Sequence, residues 1–219
     1  MKRTDYTAIL FDFDFTLGDS SVGICESVNH ALRSLGHDSV ADDAIRALIG
    51  LPLQVICKSF TDRDDDEYVR RFRTHFYEVA STRVVESSSL YSGVADMLER
   101  FVNNGVLLGI VSTKSRQPLL EIVRKHNVER HFSVIVGGDD VVVHKPHPEG
   151  LLKAIAQLGI APQHALYTGD TIHDAQAAQA AAIDFIAVTS GPTLAGAFAQ
   201  HPHRAVIPTV SQLDTVILQ

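Results

Sequence analysis

Tryptophan is absent from this sequence, cysteine occurs only twice, and no apolar run is long. Cys25 and Cys57 lie far apart with no CxxC or Cys/His spacing. That excludes a disulfide framework and a cysteine zinc site, and points to buried free thiols in a reducing compartment. No stretch approaches the roughly 18 apolar residues of a membrane span. The early run Ala8-Ile9-Leu10-Phe11 is cut by Asp12, far short of a signal-peptide core. A cytoplasmic protein without a membrane partner is therefore expected. Lys and Arg never cluster densely enough to follow a phosphate backbone, and the net charge is -7, so nucleic acid is not an expected partner. Internal repeats and low-complexity tracts are missing as well.

What is present suits a globular chain: 219 residues, 45% of them hydrophobic and 21% charged, enough for one core domain and a smaller insert. Short apolar runs at 7–11, 106–112, 132–138, 165–170 and 184–190 read as buried strands. Helical patterns fall at 93–104, 116–127, 148–158, 173–182 and 193–200. Alternation of this kind predicts an α/β fold with a mostly parallel sheet covered by helices on both faces. The ligand crevice of such a sheet opens at the carboxyl ends of its strands, where Asp12, Ser112 and Asp170 stand.

Residues 20–82 break the rhythm. Val22, Cys25, Val28, Leu32 and Leu35 recur at helical spacing up to Gly36, and no strand interrupts the segment. An all-helical insert over 19–86 is expected, joined to a core of 1–18 and 87–219 by two hinges rich in Ser, Gly and Asp. Thr61 or Asp62 is the expected cap of a helix whose first turn holds Asp64, Asp65, Asp66 and Glu67.

Asp12 and Asp14 stand two apart after the first strand, so in extended backbone they share a face and need a cation or a proton between them. Mg2+ suits such oxygen ligands where phosphate is handled. Three further groups follow later core strands: Ser112-Thr113-Lys114, Lys145-Pro146, and Gly169-Asp170-Thr171-Ile172-His173-Asp174. Lys114 reads as a solvated loop lysine, and Thr16 as a side-chain support for Asp14 or a turn cap. The eleven histidines show no pair with metal spacing and read as solvated or supporting groups.

In their order, DFDFT at 12–16, Ser112, Lys145 and GDTIHD at 169–174 resemble the signature of the haloacid dehalogenase superfamily over nearly the whole chain. LIGLPL at 48–53, LYSGV at 90–94, GIVSTK at 109–114 and HKPHPEGL at 144–151 resemble its phosphoglycolate phosphatase branch. The resemblance implies a Rossmann-like core with a helical cap inserted after the first strand. It also implies a phosphomonoester hydrolase for a small phosphorylated metabolite, with Asp12 as nucleophile and Asp14 as general acid and then base. Mg2+ would be held by Asp12, the backbone carbonyl of Asp14, and Asp170. Ser112 and Lys145 would meet the phosphoryl group, and Asp174 would orient Lys145 or a metal-bound water. Phe15 departs from the pattern, which has Gly there.

Two other readings stay open: a sugar phosphomutase of the same superfamily, and a non-catalytic sensor that binds a phosphometabolite. Arg46, Gly50 to Leu53, His75 and Tyr77 are candidates for the leaving-group pocket. Monomer and homodimer are equally compatible with the sequence.

Overall fold

A computed structural model describes residues 5–218, so Lys2, Arg3 and the outermost residues of the expected core lie outside the described residues. In chain order the elements are β1 (Ala8–Phe11), β2 (Gly18–Asp19), α1 (Ser21–Ser34), α2 (Asp42–Arg46), α3 (Leu53–Thr61), α4 (Asp66–Ser87) and β3 (Ser89–Leu90). There follow α5 (Val94–Asn103), β4 (Leu107–Val111), α6 (Arg116–Lys125), β5 (Phe132–Val136), α7 (Glu149–Leu158) and β6 (Ala165–Gly169). Last come α8 (Ile172–Ala180), β7 (Asp184–Val188), β8 (Ala205–Ile207) and α9 (Leu213–Ile217). The chain divides into two compact units, one of residues up to Asp19 and from Leu90 onward, the other Ser20–Ser89.

The first unit is built on a six-stranded sheet in the order β5-β4-β1-β6-β7-β8, with every pairing parallel. The central strands β1 and β6 are buried at every position, and helices cover the sheet: α5 and α7 pack on β4, α6 and α7 on β5, and α8 on β6 and β7. The order reverses at β1, since the chain builds β4 and β5 on one side of it and then returns to lay β6 on the other. A crevice at the strand ends belongs at such a switch point.

Two expectations for this unit need correction. The segment from 193 forms a 3-10 helix, Ala195–Gln200, instead of an α-helix. Only Phe198 in it is buried, so no apolar stripe exists to hold a longer helix against the sheet. An unforeseen strand, β8, extends the sheet beside β7.

The helical unit is organised by α1 and α4. They approach so closely at Gly23 that a Cβ there would lie 2.6 Å from the backbone of Arg83 and Val84. The Gly23 amide, in the first turn of α1 where helical partners are lacking, donates to Ser87 Oγ at 3.0 Å. Ile24, Cys25, Val28, Ala31 and Leu32 form the buried stripe of α1. Val22 lies about 120° around the helix from the middle of that stripe and is exposed, contrary to expectation. The cap of α4 is Asp65, whose carboxylate accepts from the Tyr68 amide at 3.1 Å, leaving Asp66 and Glu67 in the first turn. Thr61 and Asp62 instead end α3, Asp62 in the left-handed conformation that closes a helix.

Candidate active site

Asp12 directly follows β1, and its amide donates to Thr168 O at 2.9 Å, which fixes it between the ends of β1 and β6. The chain then turns tightly, the Phe13 carbonyl accepting from the amides of Thr16, Leu17 and Gly18. Phe15 occupies the left-handed region at φ 58° with its side chain buried, and Ser190 Oγ donates to its carbonyl at 2.5 Å. A phenylalanine thus keeps a backbone shape that favours glycine, at about 1 kcal/mol.

From β4, Ser112 follows Val111 and its amide donates to Val136 O at 3.1 Å. Lys145 comes from the loop before α7, next to a cis Lys145–Pro146 peptide. Its ammonium stands 2.6 Å from Asp174 Oδ1, 3.0 Å from the Tyr167 hydroxyl and 3.1 Å from Asp12 Oδ1. Asp174 lies in the first turn of α8, where Thr171 and Asp174 form a capping box. Its other oxygen accepts from the Thr171 amide at 3.0 Å and hydroxyl at 2.5 Å, and the Tyr167 hydroxyl sits 2.8 Å from Oδ1. Burial alone would raise its pKa, but Lys145, Thr171 and Tyr167 outweigh that and hold Asp174 below its usual value.

Asp170, one residue past β6, has the opposite environment. It is buried, and neither carboxylate oxygen has a hydrogen-bond partner among the described residues. Desolvation, with Asp174 and Asp12 nearby, pushes its pKa well above the ordinary value. Asp12 is pushed up to about 6, chiefly by burial, with Lys145 opposing and Asp174 and Asp14 adding to the rise. One carboxylate oxygen each from Asp12, Asp170 and Asp174 lie within 4.8 Å of one another, and a single ammonium, Lys145, is in contact with two of them. Three buried carboxylates against one cation leave an excess of negative charge that a hard divalent ion fits, since every donor is oxygen.

The structure thus brings Asp12, Lys145, Asp170 and Asp174 together, with Ser112 hydrogen-bonded to Asp12. Asp14 is buried but outside the three-carboxylate group, its Oδ2 lying 3.0 Å from Lys114 Nζ. Lys114 is therefore not a solvated lysine, its side chain being 9% exposed. The expected Thr16 support is not seen: its hydroxyl is buried without a hydrogen-bond partner among the described residues, and the Asp14 carboxylate faces Lys114. Tyr167 was legible only as a strand residue, since nothing local marks a hydroxyl that will meet Lys145 and Asp174. Gly191 was also missed. Its α-carbon approaches Asp170 so closely that a Cβ would lie 2.0 Å from Oδ2.

The sequence profile of the haloacid dehalogenase-like hydrolases matches residues 9–188. The chain is 32% identical over 211 residues to the phosphoglycolate phosphatase of Escherichia coli strain K12, covering 87% of this chain and 84% of that protein. Phosphoglycolate phosphatase of Salmonella typhi is 30% identical with the same coverage. A crystal structure from Bacteroides fragilis, described as haloacid dehalogenase-like hydrolase, superposes with a TM-score of 0.92 at 38% identity over 95% of this chain and 99% of that one. A Pseudomonas syringae hydrolase shares the fold, with a TM-score of 0.82 at 22% identity over 95% of this chain and 96% of that one. None of the described helices is long and apolar enough to cross a membrane. With its carboxylates gathered at the ends of a parallel sheet and these relatives beside it, the chain belongs to the haloacid dehalogenase-like hydrolases and is a phosphatase of that family.

Proposed function

We propose that the protein is a Mg2+-dependent phosphomonoesterase that works through an aspartyl-phosphate on Asp12 and acts on a small phosphorylated metabolite. Phosphoglycolate is the first compound to test, because the relatives cited above carry that name. The observation that carries this reading is the pairing of Asp12, at ion-pair distance from Lys145, with Asp170, a buried carboxylate without a hydrogen-bond partner among the described residues. Mg2+ bound by Asp12 and Asp170, with the Asp14 carbonyl, would offset the repulsion between a carboxylate and a phosphate dianion.

In the first half-reaction an Asp12 oxygen bonds to phosphorus as the ester P–O bond breaks, and Asp14 gives its proton to the departing alkoxide. In the second, Asp14, now a carboxylate, takes a proton from the water that attacks the acyl phosphate, freeing Asp12 and inorganic phosphate. Lys114, 3.0 Å from Asp14 Oδ2, is placed to orient that carboxyl group. Lys145 spreads the charge of the phosphoryl oxygens, Asp174 holds Lys145 in place, and Ser112 supplies a hydroxyl donor beside Asp12. We assign the phosphoryl chemistry to the sheet unit.

Phosphate release should be measured over phosphoglycolate, small sugar phosphates, nucleotides and pyrophosphate, with Mg2+ and then with excess chelator. Turnover that chelation removes is the expected result. Tight binding without release would replace the reading by a sensor, and movement of phosphate between hydroxyls of one sugar by a mutase.

Gly191→Ala tests the placement of Asp170 without touching its charge. The added methyl must displace either the carboxylate or the 189–192 backbone. Turnover should fall at least about 100-fold, as misplacement of a reacting group by roughly 1 Å does. The apparent Mg2+ requirement should rise with it. Unchanged Mg2+ dependence would show that Asp170 is not a ligand.

A further inference from the structure

The helical unit holds a second group of metal-ligating side chains that the phosphatase reaction does not use. His30 projects from α1, and His75 and Glu78 stand three apart on α4. His30 Nε2 lies 2.9 Å from Glu78 Oε2, and His75 Nδ1 lies 3.2 and 3.1 Å from the two Glu78 oxygens. One ligand atom from each of the three residues falls within 4.8 Å of the other two, and the imidazole rings meet edge to face at 6.4 Å.

We propose that His30, His75 and Glu78 bind a Zn2+ ion that ties α1 to α4. The donor set is two imidazoles and a carboxylate, which suits Zn2+ and not Mg2+. Tetrahedral Zn2+ with bonds of about 2.0–2.1 Å keeps its ligand atoms roughly 3.4 Å apart, so the side chains need only small rotations to close on the ion. The ring nitrogens already aim at the carboxylate. In the metal-free form the ring nitrogen facing Glu78 donates to it, and in the Zn2+-bound form each neutral imidazole holds its proton on the other ring nitrogen. Side-chain exposures of 34% for His30, 28% for His75 and 48% for Glu78 leave an entry path and a fourth position for water. The sequence hides this site because His30 comes from a different helix than the His75-x-x-Glu78 pair.

Zn2+ titration of the full chain in millimolar Mg2+, by calorimetry and by the visible absorption of Co2+ as a stand-in, tests the proposal. The carboxylate cluster of the sheet unit is common to all variants, so differences report on this site. Wild type should bind one Zn2+ more per chain than His30→Ala, His75→Ala or Glu78→Gln. Each change should weaken that ion by at least about 100-fold, since even outer-shell partners of a metal cost 10- to 100-fold. Mg2+-dependent phosphate release should be unaltered in His30→Ala and Glu78→Gln. Zn2+ binding in wild type should also shift the imidazole NMR signals of His30 and His75, a readout that needs no substitution. Equal Zn2+ stoichiometry and affinity in all four proteins, wild-type binding only at millimolar concentration, or stationary imidazole signals would each overturn it.

Discussion

Replacing Asp12 by asparagine should abolish phosphate release and, at neutral pH without metal, make the protein more stable. Asp12 is buried and its pKa is raised to about 6, so the folded state favours the uncharged acid. Between the ordinary carboxylate value and 6 the native protein binds more protons than the unfolded chain, and stability falls as pH rises through that window. Above pH 6 the penalty is complete, and a shift of about 2 units corresponds to about 3 kcal/mol. Asparagine, which imitates the neutral acid, removes it. For a chain of this size that is a rise in Tm of roughly 6–12 °C. The gain should be small at pH 4 and vanish only below about pH 3, where both states hold the proton. Thermal scans of the chelated proteins from pH 4 to 8 check the sign, and a variant less stable than wild type at pH 8 would refute the account of Asp12 as a charge held at a cost. Mg2+ should narrow the gap, because it stabilises only the protein that keeps the full carboxylate set.

Lys145→Met should act in the opposite direction and more strongly. The ammonium is the counter-charge of both Asp12 and Asp174, and its own side chain is 7% exposed. Taking one partner from a buried pair costs about 3–5 kcal/mol, because the remaining charges stay desolvated. Asp174 keeps donors from Thr171 and Tyr167, so the damage falls mainly on Asp12, which keeps only Ser112. With the ammonium gone, both carboxylates gain proton affinity in the folded state. The deficit against wild type should therefore be largest at neutral and alkaline pH and shrink on acidification. Denaturant midpoints at pH 5 and pH 8 measure this, and a pH-independent deficit would mean that lost packing, not charge, dominates. Turnover should fall with stability, and Asp12→Asn combined with Lys145→Met should recover much of the stability but none of the activity.

The strands that carry the site were legible because each is a short, mostly apolar run, ended at Asp12 and Ser112 by its first polar residue and at Asp170 by its first charge. That rule placed Asp12, Ser112 and Asp170 at carboxyl ends before any geometry was known. Asp174 was legible only through the resemblance of GDTIHD at 169–174 to the family signature. Partners supplied by remote segments were not. Lys114 meets Asp14 and Tyr167 meets Lys145 only after the sheet assembles, and no periodicity encodes either contact. The strand β8 escaped because it is three residues long with only Ile207 buried, and its pairing with β7 alone makes it a strand. The cap of α4 went to Asp65 and not Asp62 because α3 runs to Thr61 and needs Asp62 for its own end. Four carboxylates in a row give composition no way to choose among them.

The central place of β1 has a consequence for biosynthesis. Ala8 pairs with Leu107 on one side and Ala165 on the other, so β1 leaves the ribosome without these neighbours until far more of the chain has been translated. Such long-range pairing raises contact order and slows folding, while Ala8-Ile9-Leu10-Phe11 waits with unpaired edges. The nascent polypeptide should therefore depend on chaperones until β4 and β6 emerge.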